Sequence, residues 1–148
     1  PHAYAIAVHT GVGTVVHSGD FKLDLTPIDD RLTNTRRLQE LGDEGVALLL
    51  CESTNAEEPG FTPSEKTVGA TLQRLMIERH ERRILVACFA SHIHRVQQII
   101  DVATSHGRKV AFVGRSMVRN MAVARDLGYL TIPGDTLISS DEISTRHG

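Results

Sequence analysis

The chain has 148 residues, of which 41% are hydrophobic, and its formal net charge is −2. This apolar content is normal for a globular protein with a buried core. The charge excludes a general polycation, so any binding of nucleic acid must depend on local patches. No apolar run approaches the length of a membrane span, and Cys51 and Cys88 lie in strand-like runs, where free thiols are usually buried. We therefore expect no membrane partner and a reducing, cytoplasmic compartment.

A β-hairpin is predicted at the start of the chain. Ala3–His9 alternates and is apolar, Gly11-Val12-Gly13 favours a turn, and Thr14–Ser18 returns as a second strand. Asp20 should then lie at or just beyond the end of that strand. A short helix follows, which we expect to cover Asn34–Leu41 and to stop at Gly42.

From Val46 to Leu127 the pattern predicts alternating strands and helices. Continuous apolar runs indicate buried strands at Val46–Cys51 and Ile84–Phe89, and the next strand is expected over Lys109–Val113. Thr62 fits an N-cap, Pro63 the first helical position and Glu65 a capping box, for a helix reaching about Arg79. Two more helices are expected over His92–Ser105, capped by Ser91, and Met117–Leu127, and a further strand over Thr136–Ser139. This order predicts a parallel sheet with helices on both faces.

Asp20 is the first candidate site residue. A carboxylate at a strand end, after a glycine that permits close approach, can bind a hard or borderline metal ion. The alternative is a turn aspartate that accepts hydrogen bonds from backbone amides, and spacing alone favours that alternative. His17 is a further candidate ligand, although a structural or exposed strand histidine explains it more simply.

Glu52 is the second candidate, because it ends a strand that is otherwise apolar. A carboxylate in such a position is costly unless it is paired or hydrogen-bonded. We therefore expect a functional role or a place in a polar network for Glu52.

Ser91 and Ser116 each precede a predicted helix, and helix N-termini present free amides that can bind phosphate. Arg115 could add a bidentate contact to the same phosphate. Simple capping explains each serine alone. Two such helix starts side by side make a phosphate site equally plausible.

Four segments together resemble ribonuclease J, a β-CASP family within the metallo-β-lactamase superfamily. The sequence His17-Ser18-Gly19-Asp20-Phe21-Lys22 looks like the fourth superfamily motif, and Glu52–Glu57 looks like the first β-CASP motif. Phe89–Gln98 and Gly107–Met117 resemble stretches characteristic of bacterial ribonuclease J. Glutamate at position 52 is a mild departure, since the family more often has aspartate there.

The resemblance implies an α/β fold in two incomplete parts. Residues 1–43 would be the C-terminal edge of a metallo-β-lactamase αββα sandwich, and residues 44–148 would begin the β-CASP domain with its parallel α/β sheet. The chain begins with Pro1 and looks like an internal segment of a longer protein. The family's His-x-His-x-Asp-His motif would then lie upstream, and the later β-CASP histidines would lie downstream.

For the intact parent protein, the resemblance implies metal-dependent hydrolysis of RNA phosphodiesters, with 5′-to-3′ exonuclease and endonuclease activity. Asp20 would bridge two metal ions, usually Zn²⁺, with Mn²⁺ or Mg²⁺ as alternatives, and Glu52 would be the acidic β-CASP residue of the catalytic site. The RNA channel would be lined by Phe89, Ser91, Arg115 and Ser116. Such proteins usually assemble as homodimers or homotetramers.

Three alternatives remain open from the sequence. Another branch of the superfamily would act on different RNA or on DNA. A non-catalytic α/β module would bind a nucleotide or phosphorylated ligand at its strand ends. The chain alone could also be a folding unit without retained function, and with a single metal ligand we expect the isolated chain to be inactive.

Overall fold

The computed structural model describes residues 4–143 of the chain. Contacts within it define two compact units, which divide between Ser64 and Glu65. The described elements include a mixed three-stranded sheet and four α-helices, which confirms the predicted α/β class. No helix within this described part is both long and apolar enough to cross a membrane. The expected family boundary between residues 43 and 44 stays a prediction.

The first unit opens with the predicted hairpin. Strand β1 (Ile6–Thr10) pairs antiparallel with β2 (Gly13–His17), in a register that sets Ile6 opposite His17 and Thr10 opposite Gly13. Gly11 and Val12 form the turn, where the Val12 side chain is 96% exposed. Ala3, which was predicted to start β1, lies outside the described residues.

Helix α1 (Thr35–Glu44) begins where the sequence predicted and ends later. The side chain of Asn34 caps it by accepting a hydrogen bond from the Arg37 amide at 3.0 Å. The predicted stop at Gly42 is wrong, because the helix continues to Glu44 and Gly45 is the C-cap. Glycine lowers helix stability without forbidding it, so Gly42 is accommodated inside the last turn.

Strand β3 (Leu48–Leu50) completes the sheet by pairing parallel with β2, with Leu50 opposite His17. The three leucines are 50%, 58% and 46% exposed. Successive strand side chains point to opposite faces, so neither face of β3 is covered by the described residues. The prediction that this strand is covered on both faces is wrong for residues 4–143, because no further layer of these residues packs on the leucines.

The described part of the second unit contains three α-helices: α2 (Lys66–Glu78), α3 (Ile93–Ser105) and α4 (Arg115–Asp126). A short 3₁₀ helix follows at Asp141–Ile143. The core lies between α3, α4 and the segment after α4, and consists of Ile93, Val96, Ile100, Met121, Ala124 and Leu130. Ile100 and Met121 are almost fully buried at its centre.

Each helix of the second unit starts differently from its prediction. Helix α2 has Glu65 at its N-cap, so the predicted capping box from Thr62 is wrong. Helix α3 is capped by the ring of His92, whose Nδ1 accepts from the Arg95 amide at 3.2 Å, and not by Ser91. Helix α4 begins at Arg115, so Ser116 lies inside its first turn rather than before it.

The strands predicted over Ile84–Phe89 and Lys109–Val113 form no ladder in the described structure. A single parallel bridge joins Val110 to Leu137, through hydrogen bonds from the Val110 amide to Thr136 and from the Ile138 amide to Val110. A strand needs a backbone partner along its length, and these runs lack one, while the Leu85 and Phe89 side chains are 96% and 83% exposed. The parallel sheet predicted for this part is therefore reduced to one bridge.

Candidate functional site

The carboxyl ends of β2 and β3 bring two predicted acidic residues to one edge of the first unit. The strands run parallel, so the segments that follow them, containing Asp20 and Glu52, leave the sheet side by side. The Ser18 amide donates to the Leu50 carbonyl at 2.9 Å. The Glu52 amide in turn donates to the Ser18 hydroxyl at 3.1 Å. Ser18 thus joins the two strand ends.

Gly19 turns the chain out of the sheet immediately after Ser18. Its φ is +61°, a conformation that side-chain-bearing residues rarely adopt, and a Cβ atom there would lie 2.9 Å from the carbonyl oxygen of Tyr4. The Ser18 hydroxyl donates to the Gly19 carbonyl at 2.7 Å, which fixes the same turn. Glycine is therefore required directly before Asp20.

The Asp20 side chain is exposed, and its carboxylate has no hydrogen-bond or ion-pair partner among residues 4–143. The simple alternative, an aspartate that binds turn amides, therefore has no support in this geometry. His17 behaves differently, because its Nδ1 accepts a hydrogen bond from the Gly19 amide at 3.0 Å. This contact gives His17 a local structural role.

Glu52 is partly exposed, and its carboxylate bends back to accept a hydrogen bond from the Thr54 amide at 2.8 Å. That backbone hydrogen bond, with a smaller contribution from the Thr54 hydroxyl, lowers the pKa of the Glu52 carboxyl below its ordinary value. The carboxylate is thus held ionised, in the charge state that a base or a cation-binding group requires.

The potential metal ligands near the ends of β2 and β3 are few. No group of three or more His, Cys, Asp or Glu side chains comes together to hold a metal ion within the described part of the chain. A structural or catalytic zinc ion takes three or four protein ligands. The described residues alone therefore do not fit a complete metal centre.

In the second unit, the loop before α3 contains two other predicted site residues. The Phe89 ring is 83% exposed and Ser91 is also exposed. Asn120 of α4 donates from Nδ2 to the Ala90 carbonyl at 3.2 Å, so this loop lies against α4. The structure therefore brings the predicted pair of helix starts into one neighbourhood. The sequence analysis missed Asn120, and a helical asparagine gives no signal of such a contact.

The first turn of α4 is the other half of this neighbourhood. Gly114 is its N-cap and supplies no side-chain hydrogen bond, while Arg115 and Ser116 are both exposed. An open groove beside it is lined by Phe112, Val113, Gly114, Arg115, Val118, Arg119 and Ser140. Arg119 was missed by the sequence analysis, although its position four residues after Arg115 predicts the same helix face.

The family described as Ribonuclease J, beta-CASP domain, matches residues 81–147. The chain is 56% identical to ribonuclease J of Mycolicibacterium smegmatis over 138 residues, which is 93% of this chain and 25% of that protein. Ribonuclease J of Mycobacterium tuberculosis H37Rv is 59% identical over the same shares. Ribonuclease J of Corynebacterium glutamicum is 49% identical over 97% of this chain and 20% of that protein.

The family match assigns a β-CASP domain to residues 81–147, most of the second unit. The relatives match over nearly the whole chain, which confirms the resemblance to ribonuclease J seen in the sequence. It spans about a quarter of the length of the first of these curated relatives, 25% of the Mycolicibacterium protein.

Proposed function

We propose that this chain is part of a metal-dependent ribonuclease that hydrolyses RNA phosphodiesters in RNA processing and decay. The single observation that carries the proposal is the pairing of β2 and β3, whose adjacent ends lead to Asp20 and Glu52 and are joined by Ser18. These are the two positions at which the family resemblance puts a metal ligand and an acidic β-CASP residue. Their adjacency supports a shared site.

Within this proposal, Asp20 is the ligand that the chain contributes to a dinuclear zinc centre, with Mn²⁺ or Mg²⁺ as alternatives. Its exposed carboxylate has no competing partner among the described residues, so it is available to a cation. The remaining ligands would come from outside these residues, because no set of three potential ligands is present within them. Residues 1–43 would then belong to a metallo-β-lactamase αββα sandwich.

The second unit would bind the RNA backbone. Arg115 and Ser116 are exposed in the first turn of α4, where unpaired backbone amides favour an anion. Arg115 can make bidentate contacts to a phosphate, and the Ser116 hydroxyl can donate one more hydrogen bond. Ser91 lies in the loop that Asn120 holds against α4, and this contact supports Ser91 as a third residue that would contact the RNA.

Phe89 would contact a base rather than a phosphate. Its ring is 83% exposed, and an exposed aromatic ring offers a flat surface on which a base of any sequence can stack. Stacking on one base and charge contacts to neighbouring phosphates together describe a binder of single-stranded RNA. The intact protein would be a cytoplasmic homodimer or homotetramer that combines 5′-to-3′ exonuclease and endonuclease activity.

The proposal is tested by substitutions in the intact parent protein. We expect Asp20→Asn and Glu52→Gln each to lower RNA hydrolysis by at least about 10–100-fold, the loss typical when a group that supports a metal site is removed. Glu52→Asp should retain most of the activity, because it keeps the carboxylate. Asp43→Asn, an exposed aspartate of the same unit, is the matched control and should leave the rate unchanged.

End-labelled RNA separates the two activities. Release of single nucleotides from a 5′ label reports the exonuclease, and internal fragments report the endonuclease. Full activity of both Asp20→Asn and Glu52→Gln would contradict the proposed site.

The isolated 148-residue chain provides a second test. We expect it to degrade no RNA when zinc is added, because one carboxylate ligand cannot hold two ions. Zinc-dependent cleavage by a clean preparation would show that the chain alone contains a complete site.

A phosphate- or nucleotide-binding module without catalysis is the second candidate. It is favoured by one observation, the uncapped start of α4 with Arg115 exposed beside a groove. In that case a nucleoside monophosphate should bind without added metal, and Arg115→Ala should abolish binding. Arg125→Ala, at the opposite end of the same helix, is the control that should have no effect.

A further inference from the structure

We propose that Ser18 is a positioning residue, whose side-chain hydroxyl sets the segment containing Asp20 against the segment containing Glu52. The inference rests on the proposed function above and extends it to a residue that neither binds metal nor contacts RNA. Its basis is the hydrogen bonding at the carboxyl ends of β2 and β3.

Ser18 lies at the point where the parallel ladder stops being regular. Its amide donates to the Leu50 carbonyl at 2.9 Å, as the next residue of a parallel ladder should. The following bond of a regular ladder would run from the Glu52 amide to the backbone carbonyl of Ser18. The Glu52 amide instead donates to the Ser18 hydroxyl, at 3.1 Å.

Because the Ser18 hydroxyl takes the place of the Ser18 carbonyl as acceptor, β3 can stay attached to β2 while the backbone of β2 turns away from the sheet. The end of β3 stays attached to β2 through the side chain of Ser18. The backbone of β2 is free to turn at Gly19, where φ is +61° and a Cβ atom would lie 2.9 Å from the Tyr4 carbonyl oxygen. Asp20 therefore leaves the sheet while Glu52 is still held next to it.

The hydroxyl also controls the turn itself. Ser18 Oγ donates to the Gly19 carbonyl at 2.7 Å while it accepts from Glu52, so one group uses both its proton and a lone pair. Ser18 is only partly exposed, which limits the access of water that could replace these bonds. Loss of the hydroxyl should therefore release both acidic segments at once.

The first test measures the hydrogen bond directly in the intact parent protein. We expect Ser18→Ala to speed amide exchange at Glu52 by about tenfold or more, because the amide loses its hydrogen-bond acceptor. A tenfold change corresponds to about 1.4 kcal/mol. Ser18→Thr keeps the hydroxyl and should restore the protection. Thr33→Ala removes an exposed hydroxyl of the same unit and should change nothing at Glu52. Unchanged exchange in Ser18→Ala would overturn the inference.

The second test measures steady-state RNA cleavage. Ser18→Ala should lower kcat about 10–100-fold, the range for residues that orient a site from behind its ligands, with KM changed by less than about threefold. Ser18→Thr should recover most of kcat. An unchanged kcat in Ser18→Ala, in a protein that Asp20→Asn inactivates, would overturn the positioning role and leave the proposed function intact. An active Asp20→Asn protein would refute the proposed function and the positioning role with it, whereas exchange at Glu52 would still report the bridge.

Ser18→Cys provides a second test of the inference if the Ser18→Ala variant does not fold. Its thiol has nearly the same shape and is a weak acceptor, so it should fold while weakening the bond from Glu52. Exchange at Glu52 intermediate between wild type and Ser18→Ala would support the inference. Exchange equal to wild type would contradict it.

Discussion

Arg95 donates hydrogen bonds to both carboxylate oxygens of Glu65, from Nη2 at 2.8 and 2.9 Å and from Nε at 3.2 Å. The Arg95 side chain is 31% exposed and the Glu65 side chain 14%. Glu65 is the N-cap of α2 and Arg95 lies in the first turn of α3, so the pair joins the starts of two helices.

The first prediction concerns this ion pair. We expect Glu65→Ala to lower the free energy of unfolding by about 1.5–3 kcal/mol, because it removes charged hydrogen bonds and leaves a partly buried guanidinium unpaired. Glu78→Ala breaks the exposed pair with Arg74 on α2 and should cost about 0–1 kcal/mol. Urea unfolding of Glu65→Ala, Arg95→Ala and the double variant measures the coupling between the two side chains, and Glu78→Ala is the control. Equal losses for the two pairs would contradict the prediction.

The second prediction separates backbone strain from steric clash at Gly19. Gly19→Ala should destabilise the chain by about 1–2 kcal/mol for its positive φ, and by more because the new Cβ atom meets the Tyr4 carbonyl. Gly107→Ala is the matched control, because its φ is +65° with no heavy atom within 4 Å of the added Cβ. The difference between the two melting temperatures measures the clash. No difference would show that Tyr4 moves away without cost.

The third prediction follows from the lowered pKa of Glu52. The folded-state pKa lies below the unfolded one, so the ionised carboxylate stabilises the fold above the unfolded pKa and loses that effect as pH falls through the folded pKa. Glu52→Gln should therefore show a weaker decline of stability with acidification over that window. Carboxyl NMR titration reports the pKa directly.

The Thr54 backbone amide is the main cause of this pKa shift, and its hydroxyl is the lesser one. Thr54→Pro should raise the pKa of Glu52 towards its ordinary value, because proline has no amide proton to donate. Thr54→Ala keeps the amide and should raise the pKa less. A larger rise in Thr54→Ala than in Thr54→Pro would assign the shift to the hydroxyl.

The fourth prediction is a stabilising substitution. The Nε2 atom of Gln98 is buried without a hydrogen-bond partner in the described structure. Gln98→Met removes this unpaired donor at similar volume and should raise the free energy of unfolding by about 1 kcal/mol. Gln73→Met, on the exposed face of α2, should stay within about 0.5 kcal/mol of wild type. A destabilised Gln98→Met protein would mean that the amide is satisfied by water.

Local signals predicted the hairpin and the centres of all four helices, because turn residues and helical periodicity act over a few neighbouring positions. Helix starts were less accurate. The Thr62-Pro63-Ser64-Glu65 pattern satisfies every local rule of a capping box, yet Glu65 binds Arg95, which lies thirty positions further along the chain. A tertiary ion pair outweighed the local cap there.

In the candidate site, too, the local features could be predicted from the sequence and the tertiary contacts could not. Glu52 was singled out because it ends an apolar strand, and Asp20 because its motif resembles that of a metal-binding aspartate; both site roles stay predictions. The hydrogen bond between Ser18 and Glu52 was not foreseen, since it depends on the register of β3 against β2, which no local pattern encodes. The strand predicted over Ile84–Phe89 failed for a related reason, because an apolar run does not specify a backbone partner, and Leu85 and Phe89 remain exposed.

The connectivity of the three-stranded sheet has a consequence for how the candidate site is assembled in time. β1 and β2 close over a tight turn, whereas β3 joins only after the long excursion through α1. Local closure is fast and distant pairing is slow, so amides of the hairpin should gain protection in refolding before those of Leu48–Leu50. The two acidic segments would then meet last, and the proposed binding of a cation at Asp20 would depend on this late pairing of β3 with β2.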